Sequence, residues 1–335
     1  MQRLVLLSYF EPKDVGNLLA QVRRAGLPAD VAVYVGSYGP NPGVAWQVAE
    51  LANGRYAPMF ALTEEWYRQR RRLPPEYAPL IPKRLDGEVP PLRRLGSTSV
   101  RVAWGVELGA RYRDAIRGAA DEGVQVDAWQ FDEVVPSAAA AGSRAIRELT
   151  RGVLRGLLFG RPVLGDVSMR GFVWVAHSAL AIARLPITAE LTTFWRTLDR
   201  AALAYVGEEY PRFDGDARTV ARRCASGQRA LAAGGPVRRV LGRRYVPGLT
   251  PGYDARANLG GNVHHWPRAQ VNAWRATYVQ ERARSGVGGF AEYEFRFGNR
   301  SPVVMHDVLS ALSAAFSSRS SGAAVRRTRP PRGAR

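Results

Sequence analysis

Chemistry in this chain would have to come from carboxylates, and the clearest case is Val126-Asp127-Ala128-Trp129-Gln130-Phe131-Asp132-Glu133-Val134. This run follows a helical pattern that stops at Gly123 and has the residue content of a buried strand. Side chains on a strand alternate between faces. Trp129 and Phe131 therefore share one face and Gln130 and Asp132 the other, with Glu133 at the end. An apolar face for packing under helices and a polar face ending in acids is the pattern of a strand that feeds a catalytic rim.

Other runs read the same way when the Val-, Trp- and Phe-rich face is set against helices. Val100–Val106 leaves Ala103, Gly105 and Glu107 inward, and Val163–Ser168 leaves Asp166 and Ser168 inward. In Val206-Gly207-Glu208-Glu209-Tyr210 the parity is open, but one of the two glutamates must face in. At Gly289–Phe295, outward Ala291, Tyr293 and Phe295 set Glu292, Glu294 and Arg296 inward. Carboxylates on four or five strands carry a large desolvation cost in a closed interior. They make sense together at a wet functional mouth, or paired with Arg101, Arg243 and Arg296 as structural ion pairs.

Convergent carboxylates suit three chemistries. One is glycosidic bond cleavage, with one carboxyl as acid and another as nucleophile or base. The second is a divalent cation site handling a phosphorylated substrate. The third is proton abstraction beside a carbonyl. Tyr34, Tyr38, Trp66, Tyr67, Tyr210, Tyr253, Asn262 and Trp266 supply stacking faces and an amide of the kind sugars use. His264 and His265 are adjacent, so on an extended loop they point apart; His264 is a candidate substrate contact, and no metal site is expected. HExxH, GxSxG, Walker A and zinc-finger spacings are absent, and no cofactor is implied.

The elements that must position these groups alternate strand and helix, which predicts a parallel sheet. Strands are expected at Leu4–Phe10, Val31–Tyr38, Val100–Val106, Asp127–Val134, Val163–Ser168, Leu203–Tyr210, near Val240–Pro247 and at Gly289–Phe295. Tyr56–Leu62 reads as an extra strand or an extended lead-in. Helices are expected to end at Gly26, Gly123 and Gly234, and a clean helical stripe runs from Ile146 to Leu158. Eight strand–helix units predict an α/β (β/α)8 barrel over residues 1–316, with an open doubly wound sheet as the alternative. Residues 64–97, rich in Pro and Arg, form an insertion between the second and third strands in this reading. Residues 317–335 form a basic disordered tail.

The 335 residues carry a formal net charge of +19, but only Lys13 and Lys83 are lysines. Arginine dominance beside high Ala, Gly and Pro content points to a GC-rich, bacterial coding bias. The charge concentrates in the tail and the 64–97 segment, as solvated segments do. A nucleic-acid partner is therefore disfavoured, and an arginine-borne anion site is the competing interpretation. The single Cys224 excludes a disulfide framework and suits a small core residue. No run approaches the roughly 20 apolar residues of a membrane span. A cytoplasmic location is the default expectation, with secretion following if a leader has been trimmed.

With Trp129-Gln130-Phe131-Asp132-Glu133 as its local motif, the chain resembles the barrel glycoside hydrolases in general layout. The resemblance implies strand-end acids acting on a carbohydrate substrate. It departs from the Asn-Glu pair of one large clan, and Asp127, Asp132 and Glu133 miss the intervals of the chitinase-like strand. The expected function is hydrolysis or transfer at a glycosidic bond. Asp132 would be nucleophile or electrostatic stabiliser and Glu208 or Glu209 the general acid, with Glu133 and Glu294 next. Tyr34, Tyr38, Glu107, Gln130, Asp166, Tyr210, Tyr253, His264, Trp266 and Glu292 are the expected substrate contacts. A non-catalytic carbohydrate-binding barrel and a metal-dependent enzyme of phosphorylated substrates are the alternatives.

Overall fold

The computed structural model describes residues 3–8, 12–37, 39–61, 98–134, 141–158, 170–175, 179–185, 188–208, 244–249 and 289–292, together with scattered helical residues between 226 and 233 and between 309 and 317. Its strands are β1 (Arg3–Leu7), β2 (Val31–Val35), β3 (Gly54–Tyr56), β4 (Met59–Ala61), β5 (Trp129–Val134), β6 (Gly171–Val175), β7 (Ala202–Glu208), β8 (Tyr245–Leu249) and β9 (Gly289–Glu292). Its helices are α1 (Pro12–Ala25), α2 (Pro42–Ala49), α3 (Thr98–Asp121), α4 (Ala141–Leu158), α5 (Ala179–Arg184) and α6 (Ala189–Ala201).

Every strand pair is parallel, and the order is β3-β2-β1-β9-β8-β7-β6-β5-β4. The two ends of that order are consecutive in the chain. β3 pairs with β2 and β4 pairs with β5, while Ala57 and Pro58 join them. Pro58 lacks an N–H, yet its carbonyl accepts from Gln130 N at 2.8 Å, and Ala57 N donates to Val35 O at 3.0 Å. Gly54–Ala61 is thus one broken strand that closes the sheet on itself. The result is an eight-stranded parallel barrel, as the alternating sequence pattern predicts.

Inside the cylinder, Leu4, Leu6, Ala32, Tyr34, Ala57, Met59, Ala128, Phe172, Trp174, Ala204, Val206 and Val246 form one buried cluster. The intervening residues face the helices: Val5 and Leu7 on β1, Val33 and Val35 on β2, Phe131 on β5 and Val173 on β6 are all buried. Helical spacing supplies the other half of that layer. α1 buries Val15, Leu18, Leu19 and Val22, and α6 buries Phe194, Trp195 and Leu198. α1 and α3 are each followed by a glycine in the left-handed region, Gly26 at φ 62° and Gly123 at φ 84°, which lets the chain reverse without Cβ strain. Leu309, Leu312 and Phe316 are helical and buried, and Ser313 Oγ donates to Gly26 O at 2.8 Å, so the C-terminal helix docks beside α1.

α3 and α4 make the closest helix contact. Gly105 and Gly109 on one, and Gly152 and Gly156 on the other, are spaced four residues apart. A Cβ at Gly109 would run into the Val153 carbonyl oxygen, and one at Gly156 into that of Val106. The helices therefore touch backbone to backbone, which any larger residue would prevent.

Three expectations need correction. Val100–Val106 is not the third strand but the start of the 24-residue α3, so Glu107 lies on a helix and not at a strand end. The third barrel strand is Gly54–Ala61, so residues 64–97 follow it in the chain and do not separate the second strand from the third. The fifth barrel strand is β6 at Gly171–Val175; Val163–Ser168 lies outside the described residues. The other strands fall within a few residues of their expected positions.

Candidate active site at the strand ends

β5 ends in a bulge. Phe131 pairs with Val173 and Val134 with Val175, so Asp132 and Glu133 together stand opposite the single residue Trp174. Phe131, Val134, Val173 and Val175 are all buried in the helix-facing layer. One extra residue lets β5 keep that apolar side on both sides of the acids. Bulges of this kind are over-represented beside active sites because they re-aim a side chain. Asp132 is only 1% exposed and is in register with Ala61 of β4.

Two residues earlier, Gln130 is fully buried and held at both ends of its amide. Its Oε1 accepts from Ser8 Oγ at 2.5 Å and from Trp174 Nε1 at 3.0 Å, and its Nε2 donates to Ala57 O at 2.9 Å. These bonds link four barrel strands: β1 through the following Ser8, the third strand through Ala57, β5 and β6. A buried amide left unsatisfied would cost on the order of 1–3 kcal/mol. The space is so tight that a Cβ at Gly36, after β2, would strike Nε2 of Gln130.

The loop after β2 is fixed from below by Tyr56. Its hydroxyl lies 3.0 Å from Ser37 Oγ, accepts from Asn41 N–H at 2.7 Å and donates to Gly39 O at 3.1 Å. Asn41 in turn caps α2, its Oδ1 accepting from Val44 N at 3.0 Å. Burial pushes the Tyr56 phenol above its ordinary range, against the opposing effect of the Ser37 and Asn41 bonds.

Two residues before β5, Asp127 works structurally. Its Oδ2 accepts from Tyr56 N at 2.8 Å and its Oδ1 from Gln125 Nε2 at 2.9 Å. Tyr34 packs edge-on to Phe172 with centroids 4.7 Å apart, inside the interior cluster. Burial raises its phenol, the Asp127 charge adds to that, and Arg55 opposes it.

The register also sorts the remaining acids. Glu208 pairs with Gly248, Gly248 with Ala291, and Ala291 with Leu6 of the interior cluster. Glu208 thus ends β7 at an interior register position. Glu292 pairs with Leu249 and with Leu7, the helix-facing row. This reverses the alternation expected for the last strand, where Glu292 was set inward: Phe290 pairs with outward Val5, so the apolar row is the other one. Tyr38, Asp166, Glu209, Tyr210, Tyr253, His264, Trp266 and Glu294 lie outside the described residues.

The structure therefore brings Gln130 and the Asp132–Glu133 bulge together at the end of β5, and puts Glu208 at the end of β7. Ser8 and Trp174 are the residues of this site that sequence reasoning missed, while Ser37 and Tyr56 only clamp the loop after β2. The position of Ser8 directly after the apolar run Leu4–Leu7 was a usable signal, whereas Trp174 is hidden in the uniformly apolar Gly171–Val175. Among the described residues no three His, Cys, Asp or Glu side chains gather as a metal-binding group, and no helix is long and apolar enough to cross a membrane.

No family model matches this chain, and no curated protein sequence matches it. Solved structures do, at low identity. An endo-beta-N-acetylglucosaminidase from Cordyceps militaris is 14% identical, with 94% of this chain and 90% of that chain covered and a TM-score of 0.45. A GH5-4 broad specificity endoglucanase from an uncultured bacterium is 12% identical, with 91% and 84% covered and a TM-score of 0.49. A fungal beta-1,4-galactanase is 12% identical, with 95% and 88% covered and a TM-score of 0.41. The closed ring of parallel strands described above is what defines the fold here.

Proposed function

We propose that this barrel hydrolyses or transfers at a glycosidic bond of a carbohydrate substrate, using carboxylates at the C-terminal ends of its strands. The observation that carries the reading is the β5 bulge, which sets Asp132 and Glu133 opposite Trp174 above the locked amide of Gln130. Strand C-termini are where barrels of this kind place their chemistry, and a buried acid is kept against its desolvation cost when it is used. In this reading Asp132 is nucleophile or electrostatic stabiliser for a developing oxocarbenium ion, and Glu208 protonates the leaving oxygen. Glu133 and Glu294 are the next candidates, and Glu209 takes the acid role if Glu208 is dispensable. Tyr38, Tyr210, Tyr253, His264 and Trp266 would supply sugar contacts, and no cofactor is required.

The test is a glycan and glycoside turnover screen of wild type beside Asp132→Asn and Glu208→Gln. Turnover by wild type that is lost in both variants, with melting temperatures intact, supports the assignment. Turnover untouched by either substitution sinks it. Tight sugar binding that survives both, with no turnover, would instead make the protein a carbohydrate-binding barrel.

A further inference from the structure

The buried layer beneath the acids has no role yet in the proposed chemistry. Gln130, Ser8 and Trp174 are fully buried, and the Gln130 amide joins them to the Ala57 carbonyl through three hydrogen bonds. Trp174 is the residue opposite the bulge, so the group that receives the bulge is itself pinned by Gln130. Gln130 also precedes Asp132 by two positions on the interior row, in register with Met59 and Phe172. An apolar side chain of the same length would fill this space more cheaply. What an amide adds is direction: one acceptor fixed by two donors and one donor fixed by a carbonyl allow a single orientation.

We infer that Gln130 is a positioning residue, which holds Trp174 and β1 in register under the bulge and so sets the direction in which Asp132 is presented. The inference deepens the glycosidic reading of the same site and rests on it. Gln130 itself touches no reacting atom in this scheme. It acts through Trp174, with Ser8 as its second anchor, and Trp174→Phe should weaken the same function by removing one donor while keeping a large ring.

The experiment compares Gln130→Met and Trp174→Phe with Ser37→Ala, which also removes a buried hydrogen-bonding group but lies in the loop clamp outside the Gln130 network. On the glycoside that wild type turns over, Gln130→Met is expected to lower kcat by about 10- to 100-fold with KM held, the scale of a misdirected catalytic group. Trp174→Phe should give a smaller loss in the same direction, and Ser37→Ala should leave kcat within about two-fold. A second readout needs no substrate: the backbone amide resonances of Asp132 and Glu133 should move in Gln130→Met and Trp174→Phe and stay in place in Ser37→Ala. Equal kcat losses in all three variants, or unmoved Asp132 and Glu133 resonances in folded Gln130→Met, overturn the inference. If wild type turns over no glycoside, the functional reading fails while the resonances still decide the positioning role.

Discussion

Two parts of this molecule bring groups into close contact, and they do so by opposite means. Inside the barrel, Gln130 fills the space over Gly36 with an amide whose polar atoms bond Ser8, Trp174 and Ala57. On the outside, α3 and α4 meet through Gly105, Gly109, Gly152 and Gly156, which bring only backbone to the contact. The inner contact carries desolvated polar groups that cost free energy unless every one is satisfied. The outer contact carries dispersion and little else. The difference separates two burdens: the seam holds the barrel wall, and the inner layer holds orientation at the strand ends.

That division can be broken experimentally. Its largest expected effect is at Asp132. Asp132→Asn should lower kcat by about 1,000-fold, within the range for a lost acid or nucleophile, while the melting temperature holds. Rates and calorimetry on one preparation check both halves, and a steep fall in melting temperature would show Asp132 to be structural instead.

The seam should behave in the reverse way. Gly109→Ala, despite the better helix propensity of alanine, should cost about 1–3 kcal/mol by overpacking and leave turnover per folded molecule unchanged. Urea unfolding reads the first and active-site-normalised rates the second. A loss of turnover without a loss of stability would merge the two regions.

Smaller effects sharpen the picture. Tyr56→Phe removes the hydroxyl that serves Ser37, Gly39 and Asn41 and should cost about 1 kcal/mol. Hydrogen exchange should then rise at Gly39 and Asn41 before it rises in β5. Smallest is a pH effect. Burial raises the phenols of Tyr34, Tyr56 and Tyr205 in the folded protein, most of all at Tyr205. Above the ordinary phenol pKa of about 10, the unfolded chain releases protons that the folded chain retains, so stability falls as pH rises. Tyr205→Phe should flatten that alkaline decline in melting temperature, and an unchanged slope would count against its buried, protonated state.

The barrel was legible in the sequence because its strands are short apolar runs separated by helical stripes. The β5 run read correctly because Trp129 and Phe131 alternate with Gln130 and Asp132 in full view. α3 was misread because Val100, Val102, Trp104 and Val106 mimic a strand's alternation. The helical signal lay further along, in buried Gly105, Leu108, Gly109, Tyr112, Ile116 and Ala119 at three- and four-residue spacing. The true third strand was obscured by Pro58 at its centre, where a proline argues against a strand. β6 was passed over because it is buried on both faces and so shows no alternation at all. At the site, the acids could be named but not the bulge that presents them, since register depends on the neighbouring strand.

The pairing of β1 with β9 also bears on how the chain is made. Leu4–Leu7 hydrogen-bond to Gly289–Glu292, about 280 residues away. A ribosome adding about 5–20 residues per second leaves that edge of β1 without its partner for roughly a quarter of a minute to a minute. Exposed strand edges recruit other chains, so nascent chains stalled before residue 289 should aggregate or engage chaperones, and chains that carry Gly289–Glu292 should not. The strand ends beside Ser8, just beyond β1, would then be assembled only once Gly289–Glu292 had been made.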